Sequence, residues 1–355
     1  MFYQVEQVLE KQRVRTEKFY KGRGILICET AEGLFALKEF HGREQKAEKL
    51  FRLGEFLAEC HISCDSMVKN SEDTLVTEGI DGMKYTFHHW FRGKECDVRS
   101  RMDLMMAVSF LAGFHAACEG GTFCGRPAEG SGGSGDACDE QTHDSCGNKE
   151  IRPDRPETVY EEYLRHDREL RRIRKYILKR KNKSDFERLY LKSFPEYLRQ
   201  SDRVLQMLSE RQEIFDIHTV GMCHGDFNQH NVVKDAGQMA LIHMEHSRHD
   251  AQVSDLSNFL RKSLEKNDWC ESLGLEMLRE YDRVHTLNEA DWAELYCRMC
   301  YPEKFWKIAN HYYGSSKVWD SGNYFEKLRK ELRQNASRQR FLEAMRRAGV
   351  NPEKG

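Results

Sequence analysis

The stretch that most constrains this chain is Cys223-His224-Gly225-Asp226-Phe227-Asn228-Gln229-His230-Asn231-Val232-Val233. It sets a carboxylate and a carboxamide five residues apart in a short polar loop that ends on an apolar pair. Chemistry accounts for that spacing: a carboxylate accepts the proton of an attacking hydroxyl, while a carboxamide one turn of loop later holds a metal ion on nucleotide phosphates. Asp226 is then the candidate base and Asn231 a candidate metal ligand. The plain alternative is an ordinary polar turn.

The residues just after the loop favour the chemical reading. Val232-Val233 leads through Lys234-Asp235-Ala236-Gly237-Gln238 into Met239-Ala240-Leu241-Ile242, a two-strand hairpin pattern with glycine in its turn. In kinase-like folds a second metal-binding Asp comes directly after such a hairpin. Here that position is His243, followed by Met244 and Glu245. Magnesium prefers hard oxygen ligands in an octahedral shell, so an imidazole is a poor substitute for the carboxylate. Glu245 shares the strand parity of His243 only if the strand continues. His243 and Glu245 therefore join Asn231 as candidate metal ligands.

On these residues the chain resembles the aminoglycoside phosphotransferase and choline kinase-like superfamily, whose members carry Ile-Asp-Phe-Glu or similar where this chain has Ile242-His243-Met244-Glu245. Two further segments narrow the resemblance to the CotS/CotI-type spore-coat family. They are Asp250-Ala251-Gln252-Val253-Ser254-Asp255-Leu256-Ser257-Asn258-Phe259-Leu260-Arg261-Lys262 and Tyr301-Pro302-Glu303-Lys304-Phe305-Trp306-Lys307-Ile308-Ala309-Asn310-His311-Tyr312-Tyr313. The resemblance implies an α+β, two-lobed protein-kinase-like fold. A small N-terminal antiparallel-sheet lobe would span residues 1–88 and a larger, mainly helical lobe residues 89–355. It also implies synthesis in the mother-cell cytoplasm, a place in the endospore coat among other coat proteins, and ATP with Mg or Mn as cofactors.

Two functions stay open. One is a kinase-fold component of coat assembly with reduced phosphotransferase activity. The other is an active ATP-dependent phosphotransferase acting on a small-molecule or protein hydroxyl through Asp226, Asn231 and Lys38. Loss of a metal-binding carboxylate removes several kcal/mol of charge stabilisation in such sites and favours the first. Retention of Asp226 and Asn231 keeps the second open.

The N-terminal region reads as a meander. Arg13 to Tyr20, Gly24 to Thr30 and Leu34 to Phe40 are strand patterns joined by glycine-containing turns. Gly22 and Gly24 occupy the place of a phosphate-covering loop, where glycines let backbone amides approach an anion. Lys38 lies on the third strand, where kinases keep the lysine that meets the nucleotide phosphates. The next helix, Arg43 to Glu59, offers Glu44 or Glu48 as its partner. Trp90, in Trp90-Phe91-Arg92-Gly93, resembles the hinge of the family and marks the nucleotide pocket. Asp255 should open a helix and brace the Asp226 loop.

Residues 119–153 break the pattern with glycine, serine and acidic residues and little to bury, which predicts a flexible insert. Its scattered cysteines lack zinc-site spacing, and the lone Cys297-Arg298-Met299-Cys300 sits in a helical pattern that predicts buried thiols. The basic run Arg171 to Lys183 lies on a helix and reads as a solvated face or a dock for an acidic partner. With 56 Lys plus Arg against 58 Asp plus Glu, the chain has no global attraction for nucleic acid or membrane. Neither is an expected partner.

Overall fold

The computed structural model describes residues 2–80, 82–119, 158–210, 219–235, 237–314 and 321–349. In chain order these form α1 (Phe2–Glu10), β1 (Thr16–Lys21), β2 (Leu26–Thr30), β3 (Gly33–Glu39), α2 (Glu44–Glu59), β4 (Met67–Val68), β5 (Thr77–Glu78), β6 (Lys84–His89), β7 (Lys94–Glu95) and α3 (Arg101–Ala117). After the insert come α4 (Val159–Lys179), α5 (Asp185–Glu210), β8 (Val220–Cys223), β9 (Val232–Asp235), β10 (Gln238–Leu241), β11 (Arg248–Ala251) and α6 (Val253–Leu264). The described chain closes with α7 (Glu271–Val284), α8 (Glu289–Cys300), α9 (Glu303–Gly314) and α10 (Ser321–Gly349).

Two compact units emerge. The first lies within Met1–Phe123, Arg211–Cys300 and Arg329–Gly355, the second within Cys124–Glu210 and Tyr301–Leu328. In the first, an antiparallel sheet runs in the order β1-β2-β3-β6-β4, with β5 also on β6. Its register sets Lys38 of β3 opposite Thr86 of β6. Val8 and Leu9 of α1 pack on one face against Cys28, Phe35, Leu37 and Phe87. The same unit holds a separate sheet in the order β10-β9-β7 and the β11–β8 pair. Helices α3, α6, α7 and α8 supply the core beneath them through Leu104, Leu111, Leu256, Phe259, Leu278 and Leu295.

The expected helices form because their apolar residues recur at helical spacing. In α2, for example, Ala47, Leu53 and Leu57 are buried. Gly54 on that face has no side chain to hold the following segment away. A Cβ there would come within 2.8 Å of the Ser66 Cβ, so α2 packs directly over Asp65 and Ser66.

The second unit is built from α4, α5 and α9. A capping box between Thr158 and Glu161 starts α4, and Ser184 with Glu187 starts α5 in the same way. Stacked rings hold it: Tyr163 on Tyr301 at 3.7 Å, His166 on Trp306 at 3.4 Å, Tyr197 on Phe305 at 4.2 Å. Tyr301, Phe305, Trp306 and Tyr312 of the C-terminal signature are thus packing residues of this unit. α4 ends at Lys179, so the basic run continues past its helix into a turn. The insert, apart from Glu119, lies outside the described residues, as do Cys124, Cys138 and Cys146. Cys297 is buried and Cys300 partly buried, and burial pushes the Cys300 thiol up to about 11. Among the described residues no helix is long and apolar enough to cross a membrane.

Candidate functional site

The loop between β8 and β9 carries Asp226, and its backbone is gripped from α6. Asp255, on the first turn of that helix and only 2 % exposed, accepts hydrogen bonds from the amides of His224 (2.6 Å) and Gly225 (3.0 Å). His115 Nε2 approaches the same carboxylate at 3.4 Å while its Nδ1 takes the Tyr281 hydroxyl at 2.6 Å. Burial pushes the Asp255 carboxyl up, but the hydrogen bonds from His115 and from the His224 amide outweigh it and the group lies below its ordinary value. The bracing role expected for Asp255 is what the geometry shows. His115, Cys223 and Asp255 cluster within 4.8 Å, fully buried, as members of this bracing network.

His224 is a second brace that the sequence pattern did not single out. Its Nε2 donates to the Ile242 carbonyl (2.9 Å) and its Nδ1 accepts from the Asp226 amide (3.2 Å), which fixes the tautomer and ties the loop to the end of β10. Gly225 must be glycine on two counts. Its φ is +83°, and a Cβ would lie 2.1 Å from the His246 carbonyl oxygen. Phe227 is fully buried against Phe259 and anchors the loop from below.

The Asp226 side chain is therefore presented at the surface of a rigid loop, 44 % exposed. Asn231 Nδ2 donates to Asp226 Oδ2 (3.1 Å) and to the Asp226 carbonyl (2.9 Å), so the two residues singled out by spacing meet. Lys262 of α6 donates to Asp226 Oδ1 at 3.1 Å. Partial burial raises the Asp226 carboxyl, and the Lys262 charge overrides it and holds the group below its ordinary value. An ionised carboxylate beside a carboxamide can accept a hydroxyl proton.

A second cluster lies at the end of the hairpin. Lys38 Nζ, only 6 % exposed, donates to Asp65 Oδ2 at 2.5 Å and to Glu245 Oε2 at 3.0 Å. Neither Glu44 nor Glu48 is its partner: both are exposed on α2, and Glu48 pairs with Arg52. Asp65 lies beyond the helix, in a segment that pairs with the end of β10 through the Asp65 amide and the Leu241 carbonyl (2.9 Å). Its carboxylate also accepts from the amides of His243 (2.7 Å) and Met244 (3.3 Å). Asp65 thus joins the β3 lysine to the segment after the hairpin. Burial disfavours the Lys38 charge, and Asp65 and then Glu245 outweigh it, so its ammonium lies above its ordinary value.

His243 adopts a left-handed conformation (φ +67°), and its Nδ1 donates to Glu245 Oε1 at 2.8 Å. A short 3-10 turn, Met244–His246, places both side chains on the same side despite the end of the strand. Burial raises the Glu245 carboxyl, while the His243 hydrogen bond and the Lys38 charge hold it far below the usual carboxylate range. The Trp90 ring lies 5.7 Å from Lys38 Nζ and 6.1 Å from the His243 ring.

The structure therefore groups Lys38, Trp90, His243 and Glu245, and separately Asp226 and Asn231. The two groups are linked by the Ile242 amide donating to the Asn231 carbonyl at 3.0 Å. Gly22 and Gly24 form the β1–β2 turn, with the Gly22 amide on the Ile25 carbonyl (2.9 Å) and Gly24 left-handed. Arg23 between them reaches Glu95 (3.4 Å), whose carboxylate also meets His230 of the catalytic-type loop (2.5 Å).

An all-oxygen magnesium site does not fit these residues. His243, where the resemblance would set the bridging carboxylate, is an imidazole already bonded to Glu245, and Glu245 is itself paired with Lys38. Like His224, Asp65 and Lys262 are site residues that sequence reasoning missed. Asp65 carries no local signal. Lys262 stands seven residues after Asp255 on a predicted helix, so helical spacing could have placed it on the same face.

Comparison with known proteins bears on this arrangement. Residues 165–345, a little over half of the chain, match the family described as "Spore coat putative kinase YutH". The chain is similar to spore coat protein S of Bacillus subtilis (strain 168), 22 % identical over 341 residues, covering 91 % of this chain and 87 % of that protein. Among solved structures, an aminoglycoside phosphotransferase from Alicyclobacillus acidocaldarius aligns with a TM-score of 0.79 at 18 % identity, over 97 % of this chain and 96 % of that one. An amicoumacin kinase solved with AMP-PNP, Ca2+ and Ami aligns with a TM-score of 0.56 at 13 % identity, over 95 % and 92 %. These likenesses show an α+β, kinase-like phosphotransferase fold. On the family match, the chain belongs to the spore coat putative kinases of the YutH family.

Proposed function

We propose that this protein is a nucleotide-binding, kinase-fold component of the endospore coat, made in the mother cell and assembled with other coat proteins, whose phosphotransfer capacity is reduced. The observation that carries the proposal is the His243–Glu245 pair (2.8 Å) in the position of the metal-bridging carboxylate, beside an ordered Asp226–Asn231 pair. The likeness to spore coat protein S supports the coat assignment. Lys38, Trp90 and the Gly22–Gly24 turn would contact the nucleotide, and Asp226 would face the acceptor hydroxyl. Neither nucleic acid nor membrane is a partner on this reading.

A second reading, an active ATP-dependent phosphotransferase acting on a small-molecule or protein hydroxyl, draws on one feature. Asp226 is ionised, half-exposed and held by Asn231 and Lys262, as a proton acceptor should be. The test is calorimetric titration with ATP in magnesium and then in manganese, alongside Lys38→Ala and Asp226→Asn. Binding weakened by Lys38→Ala and kept by Asp226→Asn, with slow or absent phosphate release, supports the first reading. Rapid transfer abolished by Asp226→Asn supports the second. Absence of ATP binding in the folded protein in both metals refutes the nucleotide site.

A further inference from the structure

One face of α6 is dedicated to the Asp226 loop. Asp255 holds the amides of His224 and Gly225, Asn258 Nδ2 donates to the Phe227 carbonyl at 3.2 Å, and Lys262 Nζ donates to Asp226 Oδ1 at 3.1 Å. Positions 255, 258 and 262 are separated by three and four residues, so they stack on one side of the helix. The first two contacts are to backbone and fix the loop. The third is to the side chain that would face the acceptor, and it brings a positive charge there.

Lys38 stands between Asp65 and Glu245 on the β3 side. Lys262 stands beside Asp226 on the loop side, with its side chain 36 % exposed. His243, where the resemblance would set a carboxylate, spends its Nδ1 on Glu245. Of these two ammonium groups, that of Lys38 is buried and held by two carboxylates, whereas that of Lys262 is partly exposed and meets Asp226.

We infer that Lys262 is a phosphate-binding residue and that its partly exposed ammonium, rather than a divalent ion, supplies countercharge to a bound nucleoside triphosphate. The inference rests on the nucleotide-site reading above and specifies its chemistry. Lys262 leaves one carboxylate oxygen of Asp226 for the anionic phosphate, a short movement for a flexible, partly exposed ammonium. Asp226 stays on its loop, because its backbone is fixed by His224 and Asn231.

The test is equilibrium titration of the full chain with ATP in EDTA, in magnesium and in manganese, followed by Trp fluorescence and calorimetry. Dissociation constants in EDTA and in magnesium should agree within about threefold, and Lys262→Met should weaken binding in EDTA by about tenfold or more. Lys262→Arg should retain binding within about threefold, since it keeps the charge. Asp226→Asn, which removes the competing carboxylate, should tighten it. Circular dichroism of Lys262→Met establishes that it folds, as expected for a half-exposed side chain.

Binding that appears only with magnesium or manganese overturns the inference and leaves the nucleotide-site reading standing. Metal-independent binding that Lys262→Met leaves intact overturns the assignment of Lys262. Absence of ATP binding in every condition overturns both readings together.

Discussion

Asp65 is the residue whose replacement should tell most about how this site is held. Its buried carboxylate accepts from Lys38 Nζ (2.5 Å), the His243 amide (2.7 Å) and the Met244 amide (3.3 Å). Removing one partner of a buried ion pair typically costs about 3–5 kcal/mol, because the remaining charge is left in a poor dielectric. Lys38 keeps Glu245 at 3.0 Å, which puts Asp65→Asn near the lower end. The amide of Asn still accepts one backbone hydrogen bond, so we expect about 3 kcal/mol for Asp65→Asn and about 4–5 kcal/mol for Asp65→Ala. Part of the loss comes from His243, whose left-handed backbone costs about 1–2 kcal/mol and relies on the amide grip. Urea unfolding followed by Trp fluorescence and circular dichroism would measure it, with the two units allowed separate transitions. The pair should also couple to Lys38→Met by about 2 kcal/mol in a double-mutant cycle. A cost under about 1 kcal/mol for Asp65→Ala, or strict additivity with Lys38→Met, would refute the role assigned to this carboxylate.

The same geometry sets four further outcomes. His243→Asp places a carboxylate in the bridging position and should make ATP binding respond to magnesium by about tenfold, read by calorimetry with and without EDTA; an unchanged response would mean that His243 is not what excludes the ion. Glu245, held below the usual carboxylate range, binds its proton first in the unfolded chain, so its contribution is present above about pH 4.3 and fades as pH falls through the folded value. Glu245→Gln should therefore flatten the acid limb of the stability profile below about pH 5, and an acid limb of the same slope would remove Glu245 as its source. Gly225→Ala, at φ +83° and facing the His246 carbonyl, should lower stability by more than about 2 kcal/mol in thermal or urea melts. Asp255→Asn should expose the Asp226 loop to faster amide hydrogen exchange at His224 and Gly225, while protection unchanged there would show that α6 does not hold the loop.

How much of this could be read from the chain differs by element. The hairpin after Asn231 was legible because its alternation and its glycine turn are local, and β9 and β10 pair in the register that the turn dictates. The helix expected over Arg43 to Glu59 was legible for the same reason, and α2 forms over Glu44–Glu59. By contrast α1 and β11 were not anticipated, and β4 and β7 are too short to carry a period. These three strands exist because β6, β9 and β8 lie alongside to accept their hydrogen bonds.

The sequence by itself determined which groups the site could contain: a carboxylate and carboxamide five apart, a lysine on the third strand, and an imidazole where a carboxylate was expected. Only the tertiary structure decided which charges those groups face. From the α2 pattern, Glu44 and Glu48 were equally good partners for Lys38, yet Asp65 holds it from 27 residues away. Asp226 carried no mark of the cation that Lys262 brings from 36 residues further on. Helical and strand periods are set by neighbours in the chain and survive in any window of it. An ion pair depends on where separate segments close on one another, and here that was fixed by α2 packing over Ser66 and by α6 docking on the Asp226 loop.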